Sequence, residues 1–444
     1  MLARLADALA RASARFVPDA FSIAALLTLL TCVLGLTAGH AAPAQVARAW
    51  GDSVWALLPF SMQIAVVIFA GYMLAVSPVM RRLMDLLARV PRTPRQAVGW
   101  TAFLSMTLCW LNWGAGLVAS AVLVRIIARR HPAADYRLLV AVAYLGLGTT
   151  WHGGPSGSVP LLLATPGSFM IKDGLIPATI PLSQTIFTPG NLALMALVTA
   201  GLTLFAMLLH PRGETVGVDA VALEALDAFS APARPSSPTP AERLMHGPWL
   251  NAAIGLLGVS YLALQAAGGR FTLTLDTVNL IVLSLALLLH PSPASLMAAA
   301  EQAARPLHGV VLQFPLYAGI YGIIKDTGLA SAIAAAFLAL ATPRTFPFVV
   351  FCYSAVLNYW VPSGGAKWAM EAVYLVQAAK ALAVPLPRVA MAYAYGDMAT
   401  NLIQPFWAIP LLGVARLEFR EILGYEALVF ALYTLVVSAF LLIF

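Results

Sequence analysis

The stretch between Arg95 and Arg125 limits what this chain can fold into more than any other. Residues 96–124 carry no charged side chain, and arginines stand on both sides: Arg81, Arg82, Arg89, Arg92 and Arg95 before, Arg125, Arg129, Arg130 and Arg137 after. One membrane-spanning helix needs about 20 residues and two need about 40. The interval suits neither. It suits a hairpin that reaches mid-membrane and returns to the same side, with its tip at Asn112-Trp113-Gly114-Ala115-Gly116. A single long, tilted helix with a Gly-x-Gly kink is the competing reading.

Composition puts the rest of the chain in the same setting. Of 444 residues, 61% are hydrophobic and 10% charged, against about 25% charged in a soluble domain. This is an all-α polytopic membrane protein. The net charge of +7 comes from arginines gathered in loops beside apolar runs, which marks cytoplasmic loops and calls for no nucleic-acid partner. Cys32, Cys109 and Cys352 lie within apolar runs and form no disulfide framework. At the N-terminus, Leu2, Leu5, Leu9 and Phe16 share one helical face, as in a helix lying on the cytoplasmic surface. The charged segment there is too long for a signal peptide.

Taken in order, residues 1–210 form a first repeat. It has spans near 21–38 and 54–76 joined by a short loop, an interfacial basic segment, a hairpin at 96–130, and a helix at 138–165 broken at Trp151–Ser158. A sparse loop at 166–189 and a returning span at 192–209 complete it. Residues 211–248, rich in proline and charge, are a cytoplasmic linker. A connecting span at 249–267 leads to a second repeat, 270–444. That repeat has a hairpin at 345–384 with its tip at Val361-Pro362-Ser363-Gly364-Gly365, and a broken helix at 388–415. Gly146, Pro155 and Pro160 match Gly396, Pro405 and Pro410. The odd connecting span inverts the second repeat. About nine crossings, two re-entrant hairpins and two discontinuous helices result, with the N-terminus cytoplasmic and the C-terminus periplasmic. Inverted repeats whose broken helices meet at mid-membrane mark secondary transporters.

Backbone that cannot stay helical in an apolar setting must line an enclosed polar cavity, so the four interruptions wall one site. Unpaired N–H groups at the breaks, including Gly114, Gly116, Gly157, Gly364 and Gly365, favour an anion. Ser156, Ser158, Thr165 and Ser363 add hydroxyls, and Asn112, Asn358, Asn401 and Gln404 add amides. This suits a carboxylate with a short tail, packed on Trp113, Trp151, Trp360 or Trp407, although such rings also serve plain packing. Lys367 either neutralises that carboxylate or snorkels to the surface. Asp397 reads as the one acidic residue deep in a span. It either carries a proton, holds Na⁺ with backbone carbonyls, or serves as a structural partner for Lys367. His152 is placed for proton coupling or for a structural hydrogen bond, and Asn112 and Asn358 are further candidates for the coupling ion. No cofactor is called for beyond H⁺ or Na⁺.

Gly154-Pro155-Ser156-Gly157 also matches the nucleophile motif of intramembrane serine proteases, which need a histidine base beside the serine. ATP-driven transport lacks a Walker A motif. A passive channel shares the composition but does not need two inverted hairpins.

At Asn112-Trp113-Gly114, at Pro160-Leu161-Leu162 with Ala164-Thr165-Pro166-Gly167, at Val361-Pro362-Ser363-Gly364-Gly365 and at Gln404-Pro405-Phe406-Trp407-Ala408, the chain resembles the bacterial short-chain fatty acid (acetoacetate/butyrate) transporter family. The resemblance covers nearly the whole length. It implies uptake of short-chain monocarboxylates through the bacterial inner membrane, driven by an ion gradient. From the wider ion-transporter superfamily it implies a homodimer with a scaffold and a moving transport domain. The expected mechanism is elevator-like alternating access, the hairpins and broken helices moving against the remaining spans.

Overall fold

The computed structural model describes residues 18–211, 213–218 and 232–444. The expected N-terminal surface helix lies outside the described residues, as do residues 212 and 219–231 of the linker. Among the described residues every regular element is helical. Among these residues, five helices are long and apolar enough to cross a membrane: Leu58–Val76, Pro189–Leu209, Trp249–Ala267, Leu307–Asp326 and Phe419–Ile443.

The charge-free interval is two helices, Pro94–Leu111 and Trp113–Arg130, packed on each other. Thr93 caps the first by accepting from the Gln96 amide, and Pro94 occupies the first turn, where its missing N–H costs nothing. Asn112 alone makes the turn. Its extended backbone (φ −155°, ψ 111°) ends the first limb, and its side chain caps the second by accepting from Ala115 N–H. The tip is therefore shorter than the sequence implies. Gly114 and Gly116 are helical and do not break the helix; they allow close packing, a Cβ at Gly114 falling 2.9 Å from the Val67 carbonyl oxygen.

The second hairpin is Phe346–Trp360 and Gly364–Ala381, interrupted at Val361–Ser363 where Pro362 removes a donor. The first broken helix runs Tyr136–Thr149, a 3₁₀ turn Trp151–Gly153, then Ser158–Ala164; the second runs Leu386–Asn401, a turn Phe406–Ala408, then Ile409–Ala415. Each broken helix packs on the first limb of the hairpin before it.

That packing uses the same bonds in both halves. Ser105 Oγ donates to the Ala143 carbonyl at 2.7 Å, and Ser354 Oγ to the Tyr393 carbonyl at 2.8 Å. Thr150 Oγ1 donates to the Met106 carbonyl at 2.7 Å, and Thr400 Oγ1 to the Ala355 carbonyl at 2.8 Å. Gly146 and Gly396 sit at the crossings, where a Cβ would run into the carbonyl oxygens of Ser105 and Phe351 respectively.

Four helices among the described residues were not expected. Pro43–Ser53 replaces the short loop after the first span and buries Val46 and Ala49, Phe169–Lys172 is a single turn in the loop at 166–189, Pro240–His246 stands in the linker, and Pro293–Ala304 precedes Leu307–Asp326. The helix Pro78–Leu87, which falls in the expected basic segment, is stapled by Asp85, which accepts from Arg89 at 2.8 Å and from Arg130 at 2.9 Å. These guanidiniums, Arg89 foremost, hold the Asp85 carboxyl below the usual carboxylate range.

Alanine at Gly146 or Gly396 should destabilise the protein by about 1–3 kcal/mol, the usual cost of overpacking. Alanine at Gly201, a helical glycine with open space around it, should stabilise by roughly 0.5–1 kcal/mol. Thermal unfolding in detergent reads the contrast, and equal shifts at the three positions would contradict the close-approach argument.

Candidate functional site

The interruptions bring three ionisable groups into one buried centre. His152 from the first broken helix, Asp397 from the second and Lys367 from the second hairpin are each fully buried. The Val159 amide donates to His152 Nε2 at 3.1 Å, so that nitrogen carries no hydrogen. The proton is on Nδ1, which donates to Asp397 Oδ2 at 2.9 Å. His152 is thus a neutral imidazole of fixed tautomer. Lys367 Nζ donates to the Ser354 carbonyl at 2.8 Å and to Ser354 Oγ at 2.9 Å. It stands 3.2 Å from Asp397 Oδ1 and 4.6 Å above the Tyr393 ring. One cation faces one anion, and the pair balances.

Glycine is needed beside this centre. A Cβ on Gly364 would lie 2.6 Å from Asp397 Oδ2 and 2.6 Å from His152 Cε1. The Gly364 carbonyl accepts from Tyr393 Oη at 2.7 Å, which fixes the hairpin tip against the second broken helix. Gly365 packs against Phe60 and Ser158.

An aromatic cluster adjoins the charges. The Trp151 ring stacks on His152 at 4.2 Å and meets Trp113 edge-on at 5.7 Å, and Trp113 meets Trp407 at 5.5 Å. Trp407 is tied down by donating to the Pro362 carbonyl. Ser156 lies here too, its oxygen accepting from the Trp113 amide at 2.9 Å. Among the described residues, Asn112 Nδ2, Trp113 Nε1, Trp151 Nε1 and Gln404 Nε2 are buried donors with no hydrogen-bond partner. Leaving a buried donor unpaired costs about 1–3 kcal/mol, and two of these four, on Trp113 and Trp151, belong to rings that meet in this cluster.

Other expected site residues do different work. Asn358 donates to Asn401 Oδ1 at 2.8 Å, and Asn401 donates to the Leu147 carbonyl at 3.1 Å, joining the two broken helices. Thr165 donates to the Leu161 carbonyl and accepts from the Leu275 amide, so its hydroxyl is engaged at the far end of the first broken helix. Ser158 opens the helix after the break, following Gly157. Ser363 caps no amide with its side chain and holds the Lys367 amide through its carbonyl. Trp360 is exposed. Both ring nitrogens of His152 are committed to Asp397 and Val159, so Ser156 gains no base from it.

Asp397 is not the one buried acid. Glu371 and Glu426 are also buried, with both carboxylate oxygens of each lacking a hydrogen-bond partner among the described residues. The sequence held a signal for the first: Glu371 follows Lys367 by four residues, the spacing of neighbours on one helix face.

Paired breaks meeting around an enclosed charged centre are the build of a membrane transporter, and the fold has solved relatives among transporters. The crystal structure of the Alcanivorax borkumensis YdaH transporter superposes with a TM-score of 0.53 at 15% identity, covering 96% of this chain and 97% of that one. MtrF of Neisseria gonorrhoeae, described as illuminating a class of antimetabolite efflux pumps, gives a TM-score of 0.61 at 15% identity, covering 100% and 97%. The chain itself belongs to the short-chain fatty acid transporter family, whose profile matches residues 1–444. Two curated proteins named for short-chain fatty acid transport agree. One, from Escherichia coli K12, is 39% identical over 426 residues, 96% of each chain. The other, from Haemophilus influenzae, is 36% identical over 439 residues, 97% of each chain.

Removing one partner of a buried ion pair strands the other. Lys367→Met or Asp397→Asn alone should therefore cost about 3–5 kcal/mol, and the double variant less than either. Thermal unfolding of the three variants checks this, and strictly additive losses would show that the two side chains do not act as a pair.

Proposed function

We propose that the protein is a secondary active transporter that takes up short-chain monocarboxylates such as butyrate and acetoacetate. The observation that carries this reading is the set of unpaired buried donors at Asn112, Trp113, Trp151 and Gln404, set among tryptophan rings beside a charge-balanced centre. A carboxylate supplies the missing acceptor, and hydrogen bonds to an ionised acceptor are roughly twice as strong as neutral ones. A tail of a few carbons packs on the Trp113, Trp151 and Trp407 rings. Because Lys367 is already paired with Asp397, the substrate's charge is met by N–H dipoles and not by a lysine.

Transport follows by alternating access, in an elevator-like motion of the hairpins and broken helices against the remaining spans. The coupling ion, H⁺ or Na⁺, acts in the buried cluster around Asp397, Lys367 and His152. The recurrence of Ser105–Ala143 as Ser354–Tyr393, and of Thr150–Met106 as Thr400–Ala355, supports reading the halves as repeats. With inverted topology they give nine crossings, two re-entrant hairpins, a cytoplasmic N-terminus and a periplasmic C-terminus. A homodimer in the bacterial inner membrane completes the proposal.

Uptake of labelled butyrate and acetoacetate into proteoliposomes, with Na⁺ and pH gradients imposed separately, tests it. Wild-type protein should concentrate at least one acid when one gradient is present. Trp113→Phe, which removes one unpaired donor and keeps the ring, should lower uptake about 10- to 150-fold at subsaturating substrate, since a lost bond to a charged group is worth roughly 1.5–3 kcal/mol. Flux indifferent to both gradients would instead mean a passive facilitator, and no flux of either acid would remove the substrate assignment.

A further inference from the structure

Glu371 lies on the second limb of the second hairpin, one turn beyond Lys367, and is 1% exposed. On its own helix it shares a neighbourhood with Lys367 and Tyr374. Across from it stand Asp397 and Tyr393 of Leu386–Asn401 and Tyr353 of Phe346–Trp360, all within electrostatic reach. Leu307–Asp326 also packs here, but its Tyr317 and Tyr321 bond to Gln313 and Asp173, and its Lys325 pairs with Asp173. Leu329–Leu340 and Ser158–Ala164, the other elements against this limb, carry no titratable side chain.

No polar group among the described residues hydrogen-bonds to the Glu371 carboxyl. Tyr393 donates to the Gly364 carbonyl, and Tyr353 and Tyr374 bond to each other at 2.6 Å. Lys367 directs its N–H groups at Ser354 and its charge at Asp397. His152 is neutral. The buried cluster therefore holds one cation and two carboxyl groups, and Asp397 has both the cation and the imidazole donor. An ionised Glu371 would be an uncompensated buried anion, at a cost of several kcal/mol. A bound proton removes that charge. A Na⁺ ion in its place would need several oxygen ligands, and it would stand one helical turn from the Lys367 ammonium.

We propose that Glu371 is the proton carrier of this transporter, protonated in the closed conformation and releasing its proton when the site opens to the cytoplasm. The proposal rests on the transport reading above and names its coupling ion. On release the Glu371 O–H bond breaks and the proton passes to water. The resulting carboxylate stands one turn from Lys367 and competes with Asp397 for the ammonium. Lys367 and Asp397 tie the second hairpin to the second broken helix, so proton loss loosens the joint between those two elements. The direction of proton flow is thereby tied to the opening of the substrate site.

Two measurements on the purified full-length protein test it. The first is the infrared carbonyl band of a protonated carboxylic acid at neutral pH, followed through its shift in heavy water. A component of that band should be present in wild type, lost in Glu371→Gln and retained in Glu426→Gln. Glu371→Asp, which keeps the carboxyl group, should move that component without abolishing it, and serves if the glutamine variant does not fold. The second measurement compares exchange with accumulation in proteoliposomes. Glu371→Gln should still exchange internal for external labelled butyrate, at a rate that no longer varies with pH, while accumulation driven by a pH gradient falls to the level seen without one. An infrared band that Glu371→Gln leaves unchanged overturns the proposal. So does undiminished proton-driven accumulation by that variant, or accumulation by wild type that follows Na⁺ alone. Wild-type protein that exchanges neither butyrate nor acetoacetate defeats the transport reading instead, and the infrared result separates the two failures.

Discussion

The contact between His152 and Asp397 holds the structure's purpose together. It joins two helices that are far apart in sequence and each broken at the same stage of its half, and it does so between two fully buried side chains. A carboxylate survives there only because Lys367 supplies the charge and His152 the hydrogen bond. The imidazole can donate only because the Val159 amide occupies its other nitrogen. Three elements must therefore arrive together for any of them to be stable. Gly364 is part of the same constraint, since a larger residue would stand between the carboxylate and the ring.

Around that centre, the helix breaks serve two ends. They turn the chain inside the helical core, where hairpins and broken helices cross closely at Gly146 and Gly396. They also place Asn112, Trp113, Trp151 and Gln404, whose side-chain donors have no acceptor among the described residues. In water such groups would be satisfied; buried, they lack a partner, which in the proposed reading the ligand supplies. In the proposed reading, the charge balance at Lys367 and Asp397 means that an incoming anion does not need to break an existing ion pair. There it meets a polarised but neutral site, and the substrate and the ion are handled by adjoining groups, linked through the stacked Trp151 and His152 rings.

Much of this was legible in the sequence because charge is so scarce. Arginines on both sides of residues 96–124 left little room for anything but a hairpin, and Asn112, Pro362 and Gly153-Gly154-Pro155 sit where regular helix ends. The glycines misled by their position: Gly114 and Gly116 flank the turn but serve packing, which depends on what lies opposite and not on local sequence. Thr165 misled in the same way, since its hydroxyl is taken by a helix more than 100 residues away. Glu371 and Glu426 were hidden because a carboxylate near the end of an apolar run reads as surface until depth is known. Pro43–Ser53 and Pro293–Ala304 were missed as short, mixed segments whose helicity comes from tertiary packing.

The most direct check on the site is a structure determined with a bromine-labelled butyrate bound, since bromine can be located independently of the rest of the ligand. The carboxylate should lie against Asn112 Nδ2 and the indole nitrogens of Trp113 and Trp151, with the bromine among the tryptophan rings and Lys367 still facing Asp397. A ligand whose carboxylate instead displaces Asp397 from Lys367, or that binds away from the broken helices altogether, would contradict the assignment.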